Sequence, residues 1–225
     1  MKADSWSVGV GERAVSVALD RSANEDSPAF VMAHGAGGRM DDRGMRALAK
    51  LFSTRGLHVV RFNFPYAEAR SRRPDPMPVL QACTAAVVAS AKARINAARW
   101  LIGGRSMGGR AASMLAANGF ACDALLLLAY PLHPAGAPTK LRDAHLPRVG
   151  VPTLCLNGTR DALCRRDLMD AVVARLPSTF SMHWLQSADH SFHVLKSSGR
   201  TDAAVLDEIG ETVDDWVRGG LASGR

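Results

Sequence analysis

The chain has 225 residues, 47% of them hydrophobic and 22% charged, an ordinary globular mix long enough to bury a substantial core in one domain. No apolar run approaches the ~20 residues that span a bilayer, and the N-terminal "MKADSWSVGVGERAVSV" lacks the continuous apolar stretch of a secretory signal, so a cytoplasmic protein without a membrane partner is expected. The formal net charge is +7, but the basic residues are scattered, and without aromatic-rich basic strands or zinc-finger spacing they argue against a nucleic-acid partner.

Read in chain order, short apolar runs alternate with longer helical patterns. "WSVGV" and "AVSVALD" look like an antiparallel start. "AFVMA" over 29–33 is a strand running into glycines. Residues 45–56 have helical spacing at Leu48, Leu51 and Phe52 and a glycine stop. "LHVVRFNFPY" over 57–66 reads as the next strand, and Pro78 opens an alanine-rich helix. "RWLIGGRS" is a strand, followed by a helix ending at Gly119. "DALLLLAYP" and "VPTLCLNG" are wholly apolar strands, as in a parallel sheet covered on both faces. A helix over 165–177, a strand in "FSMHWL" and an amphipathic C-terminal helix complete the chain. Strand and helix alternation predicts an α/β fold over residues 1–225: a doubly wound, mostly parallel sheet of seven or eight strands with helices on both faces. The segment 133–148 is the one sizeable insertion near the carboxyl ends of the strands. It is too short for a cap, so an open, shallow site is expected.

In such sheets chemistry collects at the carboxyl ends of the strands. There the sequence places His34-Gly35-Ala36-Gly37-Gly38, then Gly104-Arg105-Ser106-Met107-Gly108, Tyr130-Pro131-Leu132-His133, Thr159-Arg160-Asp161, and Ala188-Asp189-His190. A serine hydroxyl needs an adjacent base to become a nucleophile. A tight strand-to-helix turn projects it from the sheet, and Gly104 and Gly108 relieve crowding around it. Ser106, Asp161 and His190 are therefore the candidate nucleophile, orienting acid and base. The amides of Met107 and Ala36 are the candidate oxyanion donors.

Other residues compete for these roles. Asp167 and Asp170 lie inside a helix, where solvation is the simpler reading, and Asp161 has an alternative as a helix N-cap. His183 lies within a strand and His193 starts the next helix, whereas His190 directly follows a strand end. Asp189 is expected to shape the histidine loop. His34 either fixes the glycine turn or meets the substrate. Arg105 either makes a buried ion pair or reaches an anionic substrate. Gly35, Tyr130 and His133 complete the expected substrate-binding set. Arg70, Arg72 and Arg73 form either a solvated loop or a basic rim that draws an acidic substrate. Cys83, Cys122, Cys155 and Cys164 lack paired spacing, so free thiols are expected and no metal site.

"GGRSMGG" resembles the nucleophile elbow of α/β-hydrolase-fold enzymes. "HGAGG" resembles their oxyanion turn, and "NGTRD" and "ADHSF" resemble their acid and histidine segments, in the superfamily order Ser, Asp, His. The likeness spans about residues 28–218. It points to the small lid-poor group that includes dienelactone-hydrolase-like proteins, and to the branch with "GGRSMG", "YPLHP" and "GTRD" that includes a subunit of the nonspecific-lethal chromatin complex. Dienelactone hydrolases proper carry a cysteine nucleophile where this chain has Ser106. The resemblance implies a serine hydrolase of carboxylesterase type that cleaves a small ester, thioester or related acyl compound and uses no cofactor. The alternative is a non-catalytic interaction protein on the same fold. A peptidase would want a larger cap or propeller than this length allows. Oligomeric state is left open.

Overall fold

The first two strands are joined by a two-residue turn. Val10 pairs with Arg13, and Gly11 between them takes φ 60, the positive angle that a tight hairpin requires at its first central position. These strands, β1 (Asp4–Val10) and β2 (Arg13–Asp20), start an eight-stranded sheet with β3 (Ala29–Ala33), β4 (His58–Phe62), β5 (Trp100–Arg105), β6 (Ala124–Leu128), β7 (Thr153–Gly158) and β8 (Phe180–Leu185). The computed structural model describes residues 4–220. The order across the sheet is β1-β2-β4-β3-β5-β6-β7-β8. The β1–β2 and β2–β4 pairs are antiparallel and the rest are parallel. This is the α/β-hydrolase architecture that the sequence predicts.

The apolar strands divide their side chains between two cores because successive residues point to opposite faces. In β6, Leu125 and Leu127 join one core while Leu126 and Leu128 join the other, all fully buried. Burial of each such leucine stabilises the fold by roughly 1.5–3 kcal/mol. The first core is covered by α3 (Met77–Lys92), α4 (Met107–Ala117) and α5 (Arg166–Val173). The second is covered by α1 (Arg43–Thr54), through Met45, Leu48, Ala49 and Phe52, and by α6 (Asp202–Gly220), through Val205, Ile209 and Val213. Those spacings of three and four put each set on one helical face.

One expected strand is shorter than its sequence suggests. β4 stops at Phe62, and a one-turn helix, α2 (Pro65–Glu68), follows. The Asn63 amide makes a last ladder bond to the Ser16 carbonyl at 3.1 Å while its side chain accepts the Met40 amide at 2.8 Å and donates to Glu68 Oε1 at 3.1 Å, and Pro65, which has no N–H for a ladder, starts α2. The helix expected over 165–177 is likewise confined to α5. The 133–148 segment carries one short 3-10 turn, Leu146–Arg148, and buries His145 and Leu146.

Candidate active site

The strand order reverses around β3, which has β4 on one side and β5 on the other. The crevice at their carboxyl ends is where this class of sheet places its chemistry. Ser106 follows β5 directly, with φ 51 and ψ −117, and its amide donates to the Leu128 carbonyl at 2.8 Å. A non-glycine residue held at such an angle costs on the order of 1–3 kcal/mol and persists only where packing enforces it. The packing here is against β3. A Cβ on Gly104 would lie 2.1 Å from the Ala33 carbonyl oxygen, and one on Gly108 would lie 2.6 Å from that of His34. The two glycines therefore clear the neighbouring strand, and the turn presses against it.

Three loops bring the expected triad together. His190 Nε2 lies 2.9 Å from Ser106 Oγ, and His190 Nδ1 lies 2.8 Å from Asp161 Oδ2. A carboxylate only accepts, so Nδ1 carries the proton and Nε2 is left to accept from the serine hydroxyl. The Asp161 side chain is fully buried and that of His190 is 26% exposed, so the imidazole faces the opening with its acid behind it. Asp161 Oδ1 accepts the Leu163 amide at 2.8 Å, and Asp161 Oδ2 also accepts from Asn157 Nδ2 at 3.0 Å.

Asn157 escaped the sequence reading. It sits inside β7, and besides Asp161 it pairs with both the amide and the carbonyl of Tyr130, each at 3.0 Å. Its one trace in the sequence is a polar residue closing an apolar strand. Gly158, next to it, lets the acid and histidine loops approach: a Cβ there would meet the Ala188 carbonyl oxygen at 2.1 Å.

The glycine turn after β3 closes with Gly38 N–H donating to the Gly35 carbonyl at 3.2 Å, and Gly37 takes φ 72. Positive φ at the third residue is the mark of a type II turn, whose closing bond leaves the amide of its first central residue, Ala36, outside the turn's own hydrogen bonding, while the Gly37 amide faces the Tyr66 hydroxyl. A Cβ on Gly35 would stand 3.4 Å from Ser106 Cβ, so the turn packs against the nucleophile. Met107 is the first residue of α4, so its amide has no acceptor within the helix.

Most of the expected substrate contacts have internal partners instead. His34 is fully buried; Nδ1 donates to the Gly35 carbonyl at 2.8 Å and Nε2 accepts the Phe64 amide at 3.1 Å. Burial lowers its pKa, so it stays neutral and fixes the turn. His133 is buried and spans the Pro134 carbonyl and the Arg165 amide in the same way. The Tyr130 hydroxyl donates to the Arg142 carbonyl at 2.6 Å. With every polar ring atom engaged, these three brace the loops from within. Arg105 makes no ion pair among the described residues; its Nη2 donates to the His190 carbonyl at 3.1 Å, tying the elbow to the histidine loop. Burial lowers its pKa, opposed by Asp189, Asp161 and Asp42.

The competitors are engaged elsewhere. Asp167 pairs with Arg165 at 2.6 Å and Asp170 with Arg166 at 3.4 Å. His183 faces Glu208 and His193 faces Asp202. Asp189 accepts the Ser191 and His193 amides at 2.7 and 3.0 Å, shaping the loop. All four cysteines are free thiols, and no group of three or more His, Cys, Asp or Glu gathers as metal ligands among the described residues. Beside the glycine turn lies an open cleft of about 560 Å³, walled by Gly37, Gly38, Tyr66 and the exposed Arg39, Arg70 and Arg72.

Comparison with known proteins gives the same fold. A family described as an alpha/beta hydrolase domain matches residues 26–218. An alpha-beta serine hydrolase homologue from Coxiella burnetii is 20% identical, with a TM-score of 0.75 over 95% of this chain and 97% of its own. A dienelactone hydrolase from Anabaena variabilis is 19% identical, with a TM-score of 0.73 over 96% of this chain and 97% of its own. A Xanthomonas campestris protein described as an α/β serine hydrolase without lid is 19% identical, with a TM-score of 0.74 over 99% of this chain and 97% of its own.

Proposed function

The chain belongs to the alpha/beta hydrolase domain family, and from that premise we propose that it is a serine hydrolase of carboxylesterase type acting on a small ester, thioester or related acyl substrate. The observation that carries this reading is the unbroken chain from Asp161 through His190 to Ser106, with steps of 2.8 and 2.9 Å.

In this reading Ser106 attacks the acyl carbonyl while His190 Nε2 takes its proton. The imidazolium then protonates the leaving alcohol or thiol, and Asp161 stabilises the cation and holds its orientation. The amides of Met107 and Ala36 receive the oxyanion, each worth about 3 kcal/mol of barrier. Water resolves the acyl-enzyme by the same steps in reverse. No cofactor and no nucleic-acid or membrane partner enters the scheme. The cleft beside the glycine turn is the place for the substrate's body, and its arginines form the basic rim. The reading keeps the cytoplasm as the compartment, which the free thiols support.

Turnover of a panel of short-chain esters and thioesters by wild type and Ser106→Ala tests the proposal. The expected result is hydrolysis that falls by about 10⁶ in kcat in the variant with an unchanged circular dichroism spectrum. Hydrolysis that survives the substitution would place the chemistry elsewhere.

A further inference from the structure

Outside the triad, two guanidiniums without a paired carboxylate lie where α4 meets the 133–148 segment. Arg110 stands one helical turn beyond Ser106, and its amide donates to the Ser106 carbonyl at 3.0 Å. Its Nε is buried with no hydrogen-bond partner. Arg142 comes from the facing segment, and its Nη1 reaches the Pro131 carbonyl only at 3.5 Å. The framework around the two is firmly bonded. Ser113 Oγ lies 2.8 Å from His145 Nε2 and donates to the Arg110 carbonyl at 2.9 Å, while the Tyr130 hydroxyl holds the Arg142 carbonyl.

No carboxylate pairs with Arg110 or Arg142 among the described residues. Asp143, the acid next in sequence, points to Arg175 at 3.4 Å. The pKa of His145 is brought down to about 4, by burial first and then by Arg110 and Arg148. That of Arg142 is lowered by burial and by Arg110. Two half-buried guanidiniums thus stand at this junction without a paired carboxylate. The forked donors of arginine match the paired oxygens of an oxoanion.

We propose that Arg110 and Arg142 bind one oxoanion, a carboxylate, phosphate or sulfate group, beside the first turn of the nucleophile helix. The anion is either a substituent of the acyl substrate or a free ion. Only the substrate source rests on the hydrolase reading; the site itself does not.

Calorimetric titration of inorganic phosphate and of succinate into the Ser106→Ala protein, in low-salt buffer, tests the site without needing turnover. Saturable binding of at least one probe is expected, weakened about tenfold or more by Arg142→Gln and by Arg110→Gln, as loss of a charged hydrogen bond requires. Arg142→Lys keeps the charge without the fork and falls between. Circular dichroism checks each fold, and if Arg110→Gln does not fold, the Arg142 variants decide alone. Failure of both probes to bind, or binding unchanged in the glutamine variants, overturns the proposal. In wild type, mono-p-nitrophenyl succinate is then compared with neutral p-nitrophenyl butyrate. A kcat/KM preference for the charged ester that vanishes in Arg142→Gln assigns the site to the substrate. No preference, with phosphate still bound, assigns it to a free ion. Hydrolysis of neither ester counts against the hydrolase reading and leaves the binding result standing.

Discussion

Asp161 receives three hydrogen bonds, from His190, Asn157 and the Leu163 amide. Asp161→Asn keeps the shape but offers an N–H or a weaker acceptor where His190 Nδ1–H needs a carboxylate, so kcat should fall by about 10⁴ with the fold retained, as steady-state kinetics and circular dichroism will show. Asn157→Ala acts differently. It strips the Tyr130 amide of its partner, leaves the Tyr130 carbonyl with the Leu132 amide alone, and should lower stability by about 1–3 kcal/mol in urea denaturation, besides loosening Asp161. The contrast reflects what a sequence displays. Ser106, Asp161 and His190 each stand just past an apolar strand, where a polar residue is conspicuous. Asn157 is hidden because it lies within the strand, and its partners are backbone groups 27 residues away. The same blindness covers His34 and His133, whose burial and backbone partners are set by the tertiary fold.

Among the elements, β3, β6 and β7 were legible because both faces of each are buried and the run is continuously apolar. The end of β4 was not. Phe62, Phe64 and Tyr66 continue a period of two, and that pattern reads as strand although the chain has left the sheet. The three rings instead pack in sequence, with centroids 5.2 and 6.4 Å apart. Packing also explains why β7 ends in glycine. Gly158→Ala would drive a methyl group into the Ala188 carbonyl and push the acid and histidine loops apart. The expected cost is about 1–3 kcal/mol of stability, together with slower ester turnover than wild type at equal folded fraction. A variant with wild-type melting and kcat would show that the two loops do not need this close approach.

Across the whole molecule, buried histidines set the acid side of the stability profile. His34 and His145 are held below the ordinary imidazole value, His145 at about 4. Their folded forms bind fewer protons than the unfolded chain near pH 6. Stability is thus fully present above about pH 6.5 and declines as pH falls toward the folded pKa. Exposed His193, raised by its bond to Asp202, works in the opposite sense: its contribution is present at low pH and lost as pH rises. Urea midpoints measured from pH 7.5 to 4.5 should therefore fall with acidification. His145→Gln should reduce the stability lost over this range by on the order of 1–2 kcal/mol, allowing for solvent that reaches part of the ring. An unchanged slope would mean that His145 does not titrate on unfolding in this window.

The most direct test of the central claim, that the fold activates Ser106, is intact-mass analysis after treatment with a fluorophosphonate probe. Wild type should gain one adduct, and Ser106→Ala should gain none while remaining folded. A folded wild-type protein that stays unlabelled, or a variant that still takes the probe, would contradict an activated serine at this elbow.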